Sequence, residues 1–212
     1  DVPVLMMKEG LDKEVLRKTN TQYEGEADIE NWKQFLQRLH NPKHEITVAL
    51  VGKYVELKDA YKSIREALIH GGVANETKVH IKSIHSEEIT RENAKDILAG
   101  VDGILVAPGF GSRGVEGKIN AVEYARVNNI PFMGICLGMQ CAVIEFARNV
   151  LGYTDAHSRE MDNDTKHPVI DIMAEQKNIV NMGGTMRLGA YPCKVTEGSN
   201  LHKAYGETMI SE

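Results

Sequence analysis

The sequence has few cysteines and no long apolar run. Its 212 residues include three cysteines, Cys136, Cys141 and Cys193, which are too few and too unevenly spaced for a disulfide framework. A reducing, cytoplasmic setting is therefore expected. No stretch approaches the ~18 consecutive apolar residues that span a bilayer. The first residues also lack the basic-then-apolar layout of a signal peptide, so neither a membrane nor secretion is expected.

An excess of positive charge is also lacking. The chain has 25 Lys and Arg against 30 Asp and Glu, a net charge of -5, and the two signs are interspersed. Since no basic block could follow a phosphate backbone, nucleic acid is not an expected partner. No CxxC or HxxxH spacing suggests a metal site, so none is expected.

What the sequence does contain is an alternation of strand and helix patterns. Ser86 is the expected N-cap of one helix, and the pair Gly71-Gly72 is the expected end of another. Such alternation predicts right-handed crossovers and an α/β fold with a parallel sheet. The expected strands lie at 45–52, 77–84, 101–108 and 130–135, and the expected helices at 59–72, 86–100, 116–129 and 137–152. Beyond residue 150 the pattern weakens to strands within 167–176 and 184–195 and a short helix at 200–206.

The N-terminal part has a different organisation. Residues 1–28 are mixed and become acidic, whereas residues 29–42 predict a linker helix that Asn41-Pro42 ends. Residues 43–212 form the expected main domain. The apolar face of the linker helix consists of Ile29, Trp32, Phe35, Leu36 and Leu39.

Cys136 stands between two glycines where an expected strand meets an expected helix. The stretch GICLG, residues 134–138, is the cysteine counterpart of the G-x-S-x-G nucleophile elbow. The helix that follows favours the thiolate, which is the reactive form of cysteine. The alternative is a buried cysteine that only fills space, which we expect of Cys141 and Cys193. The two glycines and the helix start favour a nucleophile at Cys136.

A glycine-rich loop, residues 107–114, follows the strand before Cys136, at an edge of the sheet where parallel sheets bind ligands. A thiolate that attacks a carbonyl needs N–H donors for the oxyanion. The N–H groups of Gly109 and Leu137 are the candidates, because Pro108 has no N–H to donate.

The same loop has a second interpretation. Gly109, Gly111 and Gly114 match G-x-G-x-x-G, the fingerprint of dinucleotide binding. However, the loop follows the third strand rather than the first, and Pro108 precedes it. No acidic residue ends the next strand, where position 134 is glycine. These features argue against a dinucleotide.

Four segments together resemble the class I glutamine amidotransferases, and among them the glutaminase domain of the CTP synthases. They are VGKYVELKDAYKSIREALIHGG (51–72), GFGSRGVEGKI (109–119), NIPFMGICLGMQ (129–140) and GGTMRLGA (183–190). The resemblance extends over residues 1–212. It implies a three-layer, flavodoxin-like α/β fold whose C-terminal part is missing. Residues 1–28 then resemble the end of a synthetase domain and the start of the interdomain linker.

The resemblance implies roles for individual residues. Cys136 is the expected nucleophile that forms a γ-glutamyl thioester, and Gly109 and Leu137 are the expected oxyanion donors. Glu160 is expected to bind the α-amino group of glutamine, since a carboxylate suits an ammonium. The alternatives are that Glu160 is a solvated charge in a loop and that Gln140 is an ordinary helix residue. The residues implied to bind the substrate are Gly109, Leu137, Gly138, Met139, Gln140 and Glu160. The resemblance also implies a lid near the glutamine site that takes part in activation by GTP and consists of Arg113, Gly114, Val115 and Glu116.

The resemblance also implies partners. L-glutamine is the expected substrate, and ammonia is expected to pass to a synthetase domain of the same protein. There, Mg-ATP phosphorylates UTP and ammonia displaces the phosphate to give CTP. GTP is the expected activator, and a homotetramer is the expected assembly of the full-length protein. No cofactor is expected in the glutaminase domain itself.

A general base is not apparent in the sequence. A thiol nucleophile needs a histidine oriented by a carboxylate, which the family takes from a Phe-His-Pro-Glu-like segment. The pair His167-Pro168 is followed by Val169 and is expected to be a junction between loop and strand. The base and its carboxylate are therefore expected beyond residue 212, and the chain alone to be inactive or incomplete. Two alternatives stay open: a non-catalytic docking or regulatory module, and another cysteine amide hydrolase of the same fold.

Overall fold

The computed structural model describes residues 1–23, 25–57, 59–171 and 189–212. The chain forms two compact units, Asp1–Ile170 and Asp171–Glu212. The sequence-predicted division at residues 28 and 42 remains a prediction.

A four-stranded parallel sheet lies at the centre of the first unit. Its strands are β1 (His44–Gly52), β2 (Thr77–His85), β3 (Gly103–Val106) and β4 (Phe132–Gly134), in the order β2-β1-β3-β4. Val51 of β1 pairs with Val106 of β3, which in turn pairs with Gly134 of β4. The carboxyl ends of these three strands therefore meet at one edge, and the expected parallel sheet is confirmed.

The helices of this unit are α1 (Val2–Lys8), α2 (Leu11–Thr19), α3 (Glu30–His40), α4 (Lys62–Ala74), α5 (Ala94–Ile97), α6 (Val115–Val127) and α7 (Leu137–Asn149). The last four cover the two faces of the sheet. Alternate residues of a strand face opposite sides. Val48 and Leu50 of β1 accordingly pack with Leu68 of α4. Ala49 and Val51 belong to a second buried cluster, shared with α5, α6 and α7. The result is the expected three-layer arrangement.

Two sequence predictions about helices are wrong. Gly71-Gly72 does not end α4, which continues to Ala74. A Cβ on Gly72 would lie 2.5 Å from the carbonyl oxygen of Thr77, so this glycine instead lets the helix approach β2 closely.

The second wrong prediction is the continuous helix over 86–100. The chain forms a 3₁₀ turn at Ser86–Glu88 and then only the short helix α5. Thr90 N–H donates to Asn93 Oδ1 at 2.8 Å, and Asn93 N–H donates to Thr90 Oγ1 at 3.3 Å. Such local side-chain bonds compete with the helix ladder. His85 precedes the turn as its cap, whereas Ser86 is fully buried and is not the N-cap.

A helix is confirmed within residues 29–42, as α3, whereas its role as a linker remains a prediction. Its Leu36 is buried, and Phe35 meets the ring of His70 of α4 edge-on, with ring centroids 5.3 Å apart. Helices α1 and α2 were not predicted, and neither contains a buried residue.

The remaining strands are short. In the first unit, β5 (His157–Ser158) pairs with β6 (Pro168–Ile170). In the second unit, β7 (Pro192–Lys194) and β8 (Met209–Ser211) are antiparallel, and the expected helix is α8 (Asn200–Tyr205). Most of the segment GGTMRLGA lies outside the described residues. β5 and β8 were not predicted.

Candidate active site

Cys136 occupies a strained turn between β4 and α7. Its backbone has φ 54° and ψ -108°, and its side chain is exposed. A positive φ is unfavourable for a residue with a side chain and persists only where neighbours hold it. Here Ile135 N–H donates to Val106 O at 3.1 Å, and the Cys136 carbonyl accepts from Gln140 N–H at 3.1 Å. The turn therefore presents the thiol outward, as an elbow requires.

The two glycines beside Cys136 are required by close backbone approach. A Cβ on Gly134 would lie 2.5 Å from the carbonyl of Gly138, and a Cβ on Gly138 would lie 2.2 Å from Val106 O. Real Cβ atoms do not come this near to backbone atoms. The first turn of α7 thus rests directly on the ends of β3 and β4, which positions Cys136.

The residues that carry the two expected oxyanion donors are in contact. A Cβ on Gly109 would lie 3.6 Å from Leu137 Cδ2, so the glycine-rich loop after β3 contacts the start of α7. Neither Gly109 N–H nor Leu137 N–H donates a hydrogen bond to any atom of the described residues. Two unpaired main-chain donors therefore accompany the exposed thiol, which is the arrangement an oxyanion needs.

Two buried lysines, which the sequence analysis missed, hold the other side of this loop. Lys118 of α6 is fully buried, and its Nζ donates to Ala107 O at 2.7 Å. Lys53, which follows β1, is 5% exposed and donates to Phe110 O and Gly111 O. Lys118 falls on the apolar side of α6 with Val115, Ile119 and Val122, and that position is the sequence signal that could have revealed it.

Burial changes the ionisation of two groups beneath the elbow. It lowers the pKa of Lys118 to about 8, an effect that the neighbouring Lys53 charge reinforces and the Cys141 and Cys136 thiols oppose. Burial also raises the pKa of Cys141 to about 11. Cys141 is therefore a core thiol, as expected, and Cys193 is half-buried in β7.

The other expected substrate-binding residues lie on α7 and after β5. Gln140 is half-buried in the first turn of α7, beside the exposed Met139. Glu160 is exposed in the turn after β5, where its N–H donates to Ser158 Oγ at 3.3 Å. Its carboxylate has no hydrogen-bond partner among the described residues and so is available to a ligand.

Half of the expected lid is helical. Gly114, with φ 72°, precedes α6, whereas Val115 and Glu116 form its first turn. Val115 is buried, and Glu116 pairs with Arg148 at 3.0 Å. Arg113 is exposed, lies over the Tyr54 ring at 5.6 Å, and pairs with Glu87 at 3.2 Å.

His167 pairs with a carboxylate rather than with the thiol. Its Nδ1 lies 2.6 Å from Asp155 Oδ1, and its ring stacks on Tyr153 at 4.5 Å between centroids. The His167 interaction lowers the pKa of Asp155. The residue stands just before β6, as the junction that the sequence predicted. Over the described ranges, no hydrogen bond joins Cys136 to a histidine.

Two negative findings concern the described residues only. They contain no group of three or more His, Cys, Asp or Glu side chains that could hold a metal ion. None of their helices has the length and apolar character needed to cross a bilayer.

Known proteins match the chain over its whole length. It is 62% identical to a CTP synthase of Cytophaga hutchinsonii over 212 residues, which are 100% of this chain and 39% of that protein. It is 55% identical to a CTP synthase of Methanocaldococcus jannaschii over 218 residues, 100% of this chain and 40% of that protein. The chain therefore spans about two fifths of the length of these relatives.

A solved structure and a family model agree with these matches. The glutaminase domain of the Trypanosoma brucei CTP synthase, with bound acivicin, superposes with a TM-score of 0.70 at 40% identity. The match covers 79% of this chain and 65% of that one, and it confirms the expected fold class. The family model of glutamine amidotransferase class-I matches residues 56–208, most of the chain. The chain belongs to the class I glutamine amidotransferase family.

Proposed function

We propose that this chain, as part of a longer protein, hydrolyses L-glutamine at Cys136 and supplies the ammonia for the amination of UTP to CTP. The observation that carries the proposal is the elbow itself. An exposed cysteine stands at the N-terminus of α7, beside the unpaired N–H groups of Gly109 and Leu137. This arrangement suits attack on an amide carbonyl better than it suits a structural cysteine.

The chemistry assigns a task to each group. The Cys136 thiolate adds to the side-chain carbonyl carbon of glutamine, and the resulting oxyanion accepts hydrogen bonds from Gly109 and Leu137. The C–N bond then breaks, and the leaving nitrogen takes a proton and departs as ammonia. Water hydrolyses the γ-glutamyl thioester to glutamate and restores the thiol. The family resemblance assigns the proton transfers to a histidine and a glutamate.

Substrate recognition involves α7 and the turn after β5. Glu160 binds the α-ammonium of glutamine with its free carboxylate, and Gln140 contacts the substrate from the first turn of α7. Gly138 and Met139 complete the wall beside the thiol. Arg113 and Gly114 precede α6 and, with Val115 and Glu116, respond to GTP.

The rest of the proposal concerns the longer protein. The relatives are CTP synthases of which this chain matches about two fifths. A synthetase domain of the same protein binds Mg-ATP and UTP and receives the ammonia. The full-length protein is cytoplasmic and assembles as a homotetramer. This chain itself needs no cofactor for glutamine hydrolysis.

Covalent labelling tests the proposal. The full-length protein is treated with a diazo-ketone analogue of glutamine and mapped by peptide mass spectrometry, with Cys136→Ala as the control variant. We expect a single adduct on Cys136 that excess L-glutamine prevents, while Cys141 and Cys193 stay unmodified. A folded full-length protein that acquires no adduct on Cys136 contradicts glutamine hydrolysis and favours a non-catalytic docking module. An adduct that glutamine does not prevent favours a cysteine hydrolase of another amide.

A further inference from the structure

The backbone carbonyl groups of the glycine-rich loop accept hydrogen bonds from two lysines, which belong to separate elements of the fold. Lys118 reaches Ala107 O from α6, and Lys53 reaches Phe110 O and Gly111 O from the end of β1. These anchored carbonyls flank the peptide group between Pro108 and Gly109. That peptide group supplies the N–H of Gly109.

The loop has little other support. Across the described ranges, no backbone–backbone hydrogen bond involves residues 108–111, although Ala107 N–H donates to Val51 O at 2.9 Å. Glycine peptides rotate easily because no Cβ restricts them. Without anchors, the N–H of Gly109 could therefore turn away from the thiol at little energetic cost. The two lysines restrict this rotation.

A packing role alone does not explain lysine at position 118. The side chain is fully buried among apolar residues, and Ala107 O is its one described hydrogen-bond acceptor. No carboxylate of the described residues compensates the ammonium, and burial lowers its pKa to about 8. A methionine would fill the same space without the desolvation penalty of a buried charge. The Nζ atom lies 3.6 Å from the position that a Cβ on Gly109 would take, next to the expected oxyanion donor.

We propose that Lys118 and Lys53 are positioning residues, which fix the loop so that the N–H of Gly109 points at the oxyanion formed on Cys136. They touch neither the substrate nor the thiol in this scheme. The inference rests on the proposed glutamine hydrolysis and adds residues that act through Gly109. Replacing either lysine should therefore weaken the stabilisation of the transition state more than it weakens the binding of glutamine.

The test compares two alkylating reagents on full-length Lys118→Met, Lys53→Met and wild-type protein. The diazo-ketone glutamine analogue places a carbonyl in the oxyanion site, whereas iodoacetamide reports only thiol reactivity. We expect the rate of analogue labelling at Cys136 to fall about 10- to 100-fold in each variant. The iodoacetamide rate should change less than about twofold, since it needs no oxyanion donor. Lys95→Met, at an exposed position of α5, is the matched control and should behave as wild type.

Steady-state glutaminase kinetics provide the second readout. The kcat for glutamine should fall about 10- to 100-fold in both variants with KM nearly unchanged, because the oxyanion forms only in the transition state. Unchanged labelling and kcat in a folded variant overturn the inference, as does an equal loss with both reagents. If Lys118→Met does not fold, Lys53→Met alone decides. A wild-type protein that the analogue does not label overturns the proposed function instead, and the inference with it.

Discussion

The buried Lys118 ammonium should make protein stability depend on pH, and Lys118→Met should remove that dependence. The side chain is fully buried, and desolvation lowers its pKa from 10.5 to about 8. The unfolded chain therefore keeps this proton to higher pH than the folded chain does. Between these two pKa values the unfolded state binds more protons, so the free energy of unfolding rises with pH.

The size of the effect follows from the two pKa values. A difference of about 2.5 corresponds to about 3 kcal/mol, at about 1.4 kcal/mol for each pKa unit. This penalty is fully present below about pH 8 and vanishes above about pH 10.5. Roughly 1 kcal/mol of it should disappear between about pH 7 and about pH 9.

Urea unfolding of wild type and Lys118→Met, followed by circular dichroism, measures this directly. Wild type should gain about 1 kcal/mol relative to the variant between about pH 7 and about pH 9. Cys141, whose pKa burial raises to about 11, acts in the opposite direction but titrates mainly at higher pH and is present in both proteins. Lys95→Met should follow wild type throughout. A constant difference between wild type and Lys118→Met would refute the claim that the ammonium is buried and charged.

Three further predictions concern the rest of the fold. Gly138→Ala places a methyl group 2.2 Å from a β3 carbonyl oxygen. The free energy of unfolding, measured in urea, should therefore fall by about 2–4 kcal/mol, and peptide mapping should show a loss of Cys136 labelling. Arg126 donates to the buried Glu145 carboxylate at 2.7 Å, and Arg126→Ala removes this cation. The free energy of chemical unfolding should then fall by about 3 kcal/mol, and Arg126→Lys should cause a smaller loss. His167 lowers the pKa of Asp155 in the folded protein. The stabilisation from this pair is therefore present above the normal carboxyl pKa and is lost as the pH falls through the lowered pKa of Asp155. The thermal unfolding temperature of Asp155→Asn should accordingly depend less on acid pH than that of wild type.

The sheet was predictable because it depends on short-range patterns. Continuous apolar runs and the helices between them predicted β1 to β4 and their parallel pairing. The errors arose where tertiary contacts override local preference. Gly72 stays inside α4 because the helix touches β2, and the 86–100 segment breaks because Thr90 and Asn93 bond to each other's backbone. Neither contact has a signature in the periodicity of the sequence.

The site was predictable only on the side that faces the substrate. Cys136, Gly109 and Leu137 lie in recognisable motifs, since the chemistry demands particular residues at particular turns. Lys118 and Lys53 come from α6 and the end of β1, and only the folded sheet brings them to one loop. A lysine on an apolar helix face is a visible irregularity, but its partner is a carbonyl that no sequence pattern marks.

The arrangement of the two turns separates chemistry from support. The elbow follows β4 and the glycine-rich loop follows β3, and these neighbouring parallel strands end at the same edge of the sheet. The exposed thiol and the N–H groups of Gly109 and Leu137 have no hydrogen-bond partner among the described residues, whereas Gly138 packs against β3 and the two lysines bind the loop carbonyls. Substitutions of the two lysines should therefore reduce turnover while Cys136 remains exposed and alkylated by iodoacetamide. A loss of turnover at Lys118 or Lys53 is then evidence about oxyanion geometry rather than about the nucleophile.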